Sequence, residues 1–165
     1  MSQKTDPTIR PATDADSDRL IALMEESWRA YPGCVMDVDG ELPELRRPAS
    51  DWLSRGGELW VFERDAAMIG SIAFNPIKSG SAIEIHWMYV DRAAHGRGVA
   101  QALYAKALAF AKARGINIME LWTDTRFHRA HAFYEKLGFK RSPGDRELQD
   151  LSNTTEFHYA LTLAD

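Results

Sequence analysis

Cysteine is almost absent from this chain: Cys34 is the only one in 165 residues. A single thiol excludes an internal disulfide and fits a reducing, cytoplasmic setting. No apolar run approaches membrane-spanning length, and the opening MSQKTDPTIR lacks the apolar core of a signal peptide, so no membrane partner is expected. Excess positive charge is missing too. A net charge of −4 speaks against general nucleic-acid affinity and suits a cationic or neutral substrate better than an anionic one. Repeats and low-complexity segments are absent. The stretch Asp37 to Gly40 (DVDG) lacks both the third Asp/Asn before its glycine and the later Glu of a calcium loop. His128 and His131 are spaced i, i+3, but no further Cys or acidic ligand follows at suitable spacing, so no metal is expected.

What is there reads as one globular domain over residues 1–165, with 45% apolar and 27% charged residues to build a core and a surface. Its organising stretch runs from Ala82 to Ala100. Ile83, Ile85 and Trp87 alternate with Glu84, His86 and Met88, a half-buried strand pattern closed by Val90. Polar residues follow, and Gly96 and Gly98 open a helical pattern reaching to Ala113, with Gly115 beyond its end. A strand that feeds a glycine turn into a helix N-terminus is an anion site, because unpaired N–H groups meet there at the positive end of the helix dipole. Arg97, between the glycines, adds a charge-assisted contact. The dinucleotide fingerprint fails at Gln101, and the P-loop fails at Val99-Ala100.

Around this stretch the other elements follow in order. Thr8 to Arg10 is a short strand. Thr13 and Asp16 offer capping chemistry for a helix carrying Leu20, Leu23, Met24, Trp28 and Tyr31, which Pro32-Gly33 ends. Cys34 to Pro48 reads as irregular and acidic, anchored by Leu42 and Leu45, before a short helix near Ala49 to Ser54. Glu58 to Arg64 and Met68 to Phe74 form a hairpin across Asp65 to Ala67, with a turn from Asn75 to Gly80. Ile116 to Thr123 is a strand, and Asp124 or Thr125 caps a helix through Leu137. Phe139 to Arg141 and Thr155 to Leu163 are the last strands, joined by a polar connection. The order predicts an α+β fold of α/β/α layers: a mixed, mostly antiparallel six- to seven-stranded sheet with helices on both faces.

Three segments share one resemblance. HGRGVA after MYV resembles the acyl-CoA signature Q/R-x-x-G-x-G/A of the GNAT superfamily of N-acyltransferases, with His95 at the Gln/Arg position and Gly98 and Ala100 matching. AHAFYEKLGF resembles the motif N-x-x-A-x-x-x-Y-x-x-x-G-F, with Ala130, Tyr134, Gly138 and Phe139 in register and Phe127 in place of the asparagine. The opening IRPATDAD is similar to the family's first strand and helix. The resemblance implies acetyl-CoA as co-substrate between the fourth and fifth strands. Its pantetheine would pair with Met88, Tyr89 and Val90, and its pyrophosphate would lie on His95, Gly96, Arg97, Gly98, Val99 and Ala100. Arg126 and His128 flank Phe127 as replacements for the missing asparagine.

The implied reaction is N-acetyl transfer to the primary amine of a small molecule by direct attack in a ternary complex. It requires a base for the amine and an acid for the departing thiolate. Glu84 is the base candidate, with His86 on the same face as its partner or alternative, and Tyr134 is the acid candidate. Trp28, Tyr31 and Cys34 are acceptor-pocket candidates, as are Asp37 and Asp39. The alternative reading of these five is a solvated loop over core aromatics. Cys34 could instead serve as a ping-pong nucleophile, but no base is evident near it. The rival functions are a protein or peptide acetyltransferase and a non-catalytic acyl-CoA-binding module. Such domains often pair as homodimers.

Overall fold

The chain folds as β1 (Thr8–Pro11), α1 (Ser17–Arg29), α2 (Val38–Glu41), α3 (Pro48–Ser54), β2 (Glu58–Arg64), β3 (Ala67–Ile77), β4 (Ala82–Val90), α4 (Val99–Ala113), β5 (Ile118–Asp124), α5 (His128–Lys136), β6 (Lys140–Glu147) and β7 (Thr155–Thr162). This is a computed structural model, and it describes residues 6–164. Half of the opening stretch read for a signal peptide therefore lies outside the described residues. The strands form one sheet in the order β1-β2-β3-β4-β5-β7-β6. Among the described strands only β4 and β5 run parallel, joined by the α4 crossover, and the other pairs are antiparallel. No helix among the described residues is long and apolar enough to cross a membrane.

Two apolar layers hold the sheet. On one face, Leu103, Ala107 and Phe110 of α4 and Tyr134 of α5 pack on Ile72, Phe74, Ile83, Ile85 and Leu121. On the other, Leu20 and Met24 of α1 and Trp52 of α3 pack on Leu59 and Ala73, with Leu45 filling the space between the helices. Burying side chains of this size stabilises the fold by roughly 1.5–3 kcal/mol each before chain entropy is counted. Gly70 on β3 lets α4 come close, since a Cβ there would lie 2.9 Å from both Leu103 Cδ1 and Val99 Cγ1.

Several boundaries differ from the sequence expectation, each for a physical reason. Asp65 and Ala66, both at positive φ (51° and 64°), make a two-residue hairpin turn whose twist matches the strands. β3 therefore starts at Ala67, and it continues through Asn75 and Pro76 because both pair with β4. The Cys34–Pro48 stretch contains α2 and a 3-10 turn at Pro43–Arg46, the former started by Asp37, whose side chain accepts from Gly40 N–H at 3.0 Å. α5 begins at His128 rather than after an Asp124 or Thr125 cap, because the Asp124 carboxylate is committed to Arg126. β6 takes in much of the expected polar connection, up to Glu147.

The largest departure is at Trp87. The alternation read from Ile83 onward does not continue through it. Trp87 sits at φ 47°, and β3 and β4 slip register there: Ala73 faces His86, whereas Ser71 faces Tyr89. The extra residue makes a β-bulge, and Ser71 Oγ donates to the Trp87 carbonyl at 2.8 Å. Trp87 and Tyr89 thus join the α1 face, while Met88 and Val90 pack on the α4 face. Pairing of β4 with β5 ends at Ile85 and Leu121. Beyond that point the two strands part.

Candidate active site

The parting of β4 from β5 is where the site residues converge. A groove of about 430 Å³ is lined by Met88, Tyr89, Val90, His95, Gly96, Gly98, Val99 and Ala100 on one side and by Phe127, Ala130 and Tyr134 of the α5 region on the other. A chamber of about 290 Å³ lies beside it, lined among others by Trp28, Cys34, His86, Trp122, Arg146 and Glu156. Trp28, Met88, Tyr89, Phe127, Ala130 and Tyr134 line both. The two cavities meet at these residues.

The groove has two polar features. Asp91 N–H donates to Ile69, so Asp91 and, by alternation, Tyr89 turn their backbone toward β3. Met88 and Val90 accordingly turn their N–H and C=O groups into the split. Further along, Gly96 and Gly98 adopt φ 75° and 77°, and a Cβ on either would meet nothing within 4 Å. Gly98 is the N-cap of α4 and no side chain caps it, so the first N–H groups of a fifteen-residue helix are left for an anion. The shape and donors of this loop fit a phosphate group.

His95 and Arg97 play smaller parts than their positions suggested. His95 Nε2 lies 2.9 Å from the Val90 carbonyl and therefore donates to it, while Nδ1 is buried without a partner among the described residues. The ring ties the loop to the end of β4. Arg97 is exposed and lies outside the lining of both cavities, and the arginines that line the groove are Arg29, Arg92 and Arg129. Arg126 is not brought to the groove either. Its guanidinium forks onto Asp124 at 2.9 and 2.7 Å and reaches the Ser152 carbonyl at 3.2 Å. Phe127 packs on Tyr31 with ring centroids 4.7 Å apart, joining the end of α1 to the start of α5.

Tyr134 is buried among Phe133, Phe139 and Tyr159, and its hydroxyl makes no hydrogen bond to a described residue. Burial, and then the nearby Tyr89, push its phenol well above the usual range, so it holds its proton throughout the neutral range. Tyr89 Oη accepts from Trp28 Nε1 at 2.9 Å, which fixes the wall between groove and chamber.

On the chamber side, Glu84 and His86 are together: Glu84 Oε2 lies 2.8 Å from His86 Nε2. His86 lines the chamber, but Glu84 lines neither cavity. Burial pushes the Glu84 carboxyl up, but its hydrogen bond to His86 and the charges of His86, Arg146 and His158 outweigh this and leave it below the usual range. Cys34 is half-buried, and burial pushes its thiol up, away from the nucleophilic thiolate. Tyr31 lines the groove rather than the chamber, and Asp37 and Asp39 line neither. His131 Nε2 is taken by the Asp124 carbonyl at 2.9 Å.

Two segments wall the chamber from outside. Ser152 Oγ accepts from Val35 N–H at 2.8 Å and donates to the Val35 carbonyl at 3.1 Å, and Leu151 N–H donates to Glu41. The β6–β7 loop is thereby tied to the segment after α1. Sequence reasoning missed Arg92, Arg129, Arg146 and Glu156. The period-two signal in β7 places Glu156 on the face opposite Phe157 and Tyr159, but strand order decides what it meets.

Comparison with known proteins bears on this geometry. A family model described as the acetyltransferase (GNAT) family matches residues 20–139. An uncharacterized N-acetyltransferase of Methanocaldococcus jannaschii is 31% identical over 140 residues, which is 81% of this chain. The chain spans 60% of that relative's length, and 42% and 36% of two further curated relatives. A GNAT-family acetyltransferase from Staphylococcus aureus Mu50 superposes with a TM-score of 0.81 at 20% identity, over 96% of this chain and 100% of that one. The PaiA N-acetyltransferase of Thermoplasma acidophilum, solved in complex with coenzyme A, superposes with a TM-score of 0.73 at 19% identity, over 93% and 98%.

Proposed function

The chain belongs to the acetyltransferase (GNAT) family, and from that premise we propose that it transfers an acetyl group from acetyl-CoA to the primary amine of a small molecule, by direct attack within a ternary complex. One observation carries the reading: a groove ending in an uncapped helix N-terminus meets a separate chamber at Tyr134. Residues 1–165 serve as one domain in this reading. The coenzyme A in the Thermoplasma neighbour's complex supports assigning the groove to the same ligand. Acetyl-CoA, when bound, supplies the acyl group already activated as a thioester.

The chain's own residues do the rest. Backbone N–H groups from Gly98 to Ala100 would bind the pyrophosphate, with Arg92 and Arg129 adding charge at the mouth of the groove. The N–H groups of Met88 and Val90, which alternation turns away from β3, would pair with the pantetheine arm and polarise the thioester carbonyl. Tyr134 would meet the sulfur as proton donor. Trp28, Cys34 and His86 would wall the acceptor, with Glu84 behind His86 holding its ring. Bringing an alkylammonium of pKa ~10.4 to the neutral amine near pH 7 costs about 4–5 kcal/mol, so a base facing the chamber matters. The Ser152–Val35 tie encloses the acceptor side, which supports a small molecule over an extended peptide.

Isothermal titration of acetyl-CoA and of free CoA tests the reading, with Gly98→Trp as control. Micromolar binding that the control loses, followed by amine-dependent thiol release, is the expected result. Binding without thiol release for any primary amine leaves a non-catalytic binding module, and no binding to either ligand overturns the assignment of the groove.

A further inference from the structure

Acetyl transfer to an amine, the reading on which this inference rests, needs a base in the acceptor chamber. The chamber lining contains the carboxylates Glu41, Asp124, Asp150 and Glu156. Asp124 is held by both arms of Arg126 and by the Arg126 backbone N–H. Asp150 accepts from the backbone N–H and the hydroxyl of Thr154, at 2.8 and 2.6 Å. Glu41 pins Leu151 N–H through a solvent-exposed hydrogen bond. Glu156 is different. Its side chain is only 15% exposed, Oε2 takes Arg146 Nε at 2.5 Å, and Oε1 accepts no hydrogen bond from a described residue. Backbone register sets it between Asp124 on β5 and Arg146 on β6, in the chamber that Tyr134 also lines.

We propose that Glu156 is the general base that receives the proton of the acceptor amine. Its surroundings suit that task. Burial pushes its carboxyl up, Arg146 on β6 pulls it down, and the negative charges of Asp124 on β5 and Glu84 on β4 push it up again, leaving it above the usual carboxylate range. Tyr89 and His86 on β4, Cys34 after α1, Glu41 of α2, Asp150 in the β6–β7 loop and His158 on its own strand are the further titratable groups of the chamber and its walls. Arg146 is in turn braced over the Trp122 ring, 4.2 Å from its centroid. Glu84, the candidate on sequence grounds, lies outside the lining and is held low by His86.

Protons and electrons balance over the cycle. Glu156 takes one proton from the ammonium and later returns it to solvent. The free amine attacks the thioester carbon, the C–N bond forms, and the C–S bond breaks with its electron pair on sulfur. Tyr134 protonates that sulfur and is reprotonated by the second proton leaving nitrogen. The products are the amide, CoA thiol and one proton released.

The test measures thiol release from acetyl-CoA with n-butylamine, ethanolamine, tyramine, putrescine and L-lysine, then the pH profile of kcat/KM with the fastest amine. Glu156→Gln is expected to lower kcat by about 100-fold or more and to remove the acidic limb, with acetyl-CoA affinity by calorimetry unchanged. Glu156→Asp should recover part of the rate. Arg146→Gln should move the limb to higher pH and Glu84→Gln to lower pH, shifts that a structural role would not produce. Retention of kcat within about threefold and of the limb in Glu156→Gln overturns the assignment of the base alone. Wild-type protein that binds acetyl-CoA but releases thiol with none of the amines overturns the transfer reading and the base together.

Discussion

Tyr134 combines a buried ring with a hydroxyl that no described protein group occupies. A packed aromatic with no further role would spend that hydroxyl on a nearby carbonyl. Its raised pKa makes it a weak acid, suited to donating a hydrogen bond to a sulfur as charge develops and to completing the transfer only as the C–S bond breaks. Tyr134→Phe removes one oxygen and disturbs no protein hydrogen bond among the described residues. We expect kcat to fall about 10²–10³-fold while the Kd for acetyl-CoA stays within about threefold, measured by stopped thiol assay and calorimetry. Equal turnover in the two proteins would remove Tyr134 from the chemistry. The two motif departures also make sense at this scale. His95 is used to tie the loop to Val90, and Phe127 to close against Tyr31. Both substitute a packing or loop-fixing role for a direct polar contact.

The element that matters most is β4, because its bulge decides which side chains face which cavity. Behind it, Gly70 allows the first turn of α4 to sit against β3. Gly70→Val would drive a branched side chain into Val99 and Leu103, and its Cβ already stands 3.4 Å from the Tyr89 carbonyl. We expect a loss of about 2–3 kcal/mol in urea unfolding, with weaker acetyl-CoA binding as the start of α4 shifts. Unchanged stability would mean that α4 yields freely at that point. Hydrophobic period and glycine position were enough to read most of the elements, their order and the glycine loop before α4, whereas Tyr134 was singled out by the motif resemblance. Period alone did not show the slip at Trp87, because a bulge follows from pairing with Ser71 and Ala73 on another strand. Glu84 was singled out by the resemblance, and no local pattern singles out Glu156. Residue 156 meets the chamber only because β7 inserts between β5 and β6.

Across the whole molecule, the site sits at the opened seam of the sheet, so its geometry depends on how firmly each half is held. The β1 side is fastened by a charge knot. Arg10 forks onto Asp16 at 2.8 Å through both terminal nitrogens and reaches Glu63 at 2.9 Å, while Arg19 joins Glu63 at 2.7 Å, linking β1, β2 and α1. Asp16 is 4% exposed, and its hydrogen bonds from Arg10 hold its carboxyl below the usual range against the cost of burial. Glu63 is lowered in the same way by Arg10 and Arg19. A depressed carboxylate stabilises the fold fully above its unfolded pKa near 4, and that contribution disappears as pH falls through the folded value. Arg10→Met leaves Asp16 buried with the hydrogen bond from Thr13 N–H at 2.8 Å and, as its one charged partner among the described residues, Arg19 at 3.6 Å. Breaking a buried pair costs ~3–5 kcal/mol, and since Arg10 is about a third exposed we expect ~2 kcal/mol at pH 7. Thermal unfolding should show a Tm lowered by roughly 4–8 °C at pH 7 and a gap that narrows towards pH 3, as protonation of these carboxylates in the unfolded chain draws off the contribution of the knot. A gap that stays constant between those pH values would assign the loss to packing of the Arg10 stem and not to charge.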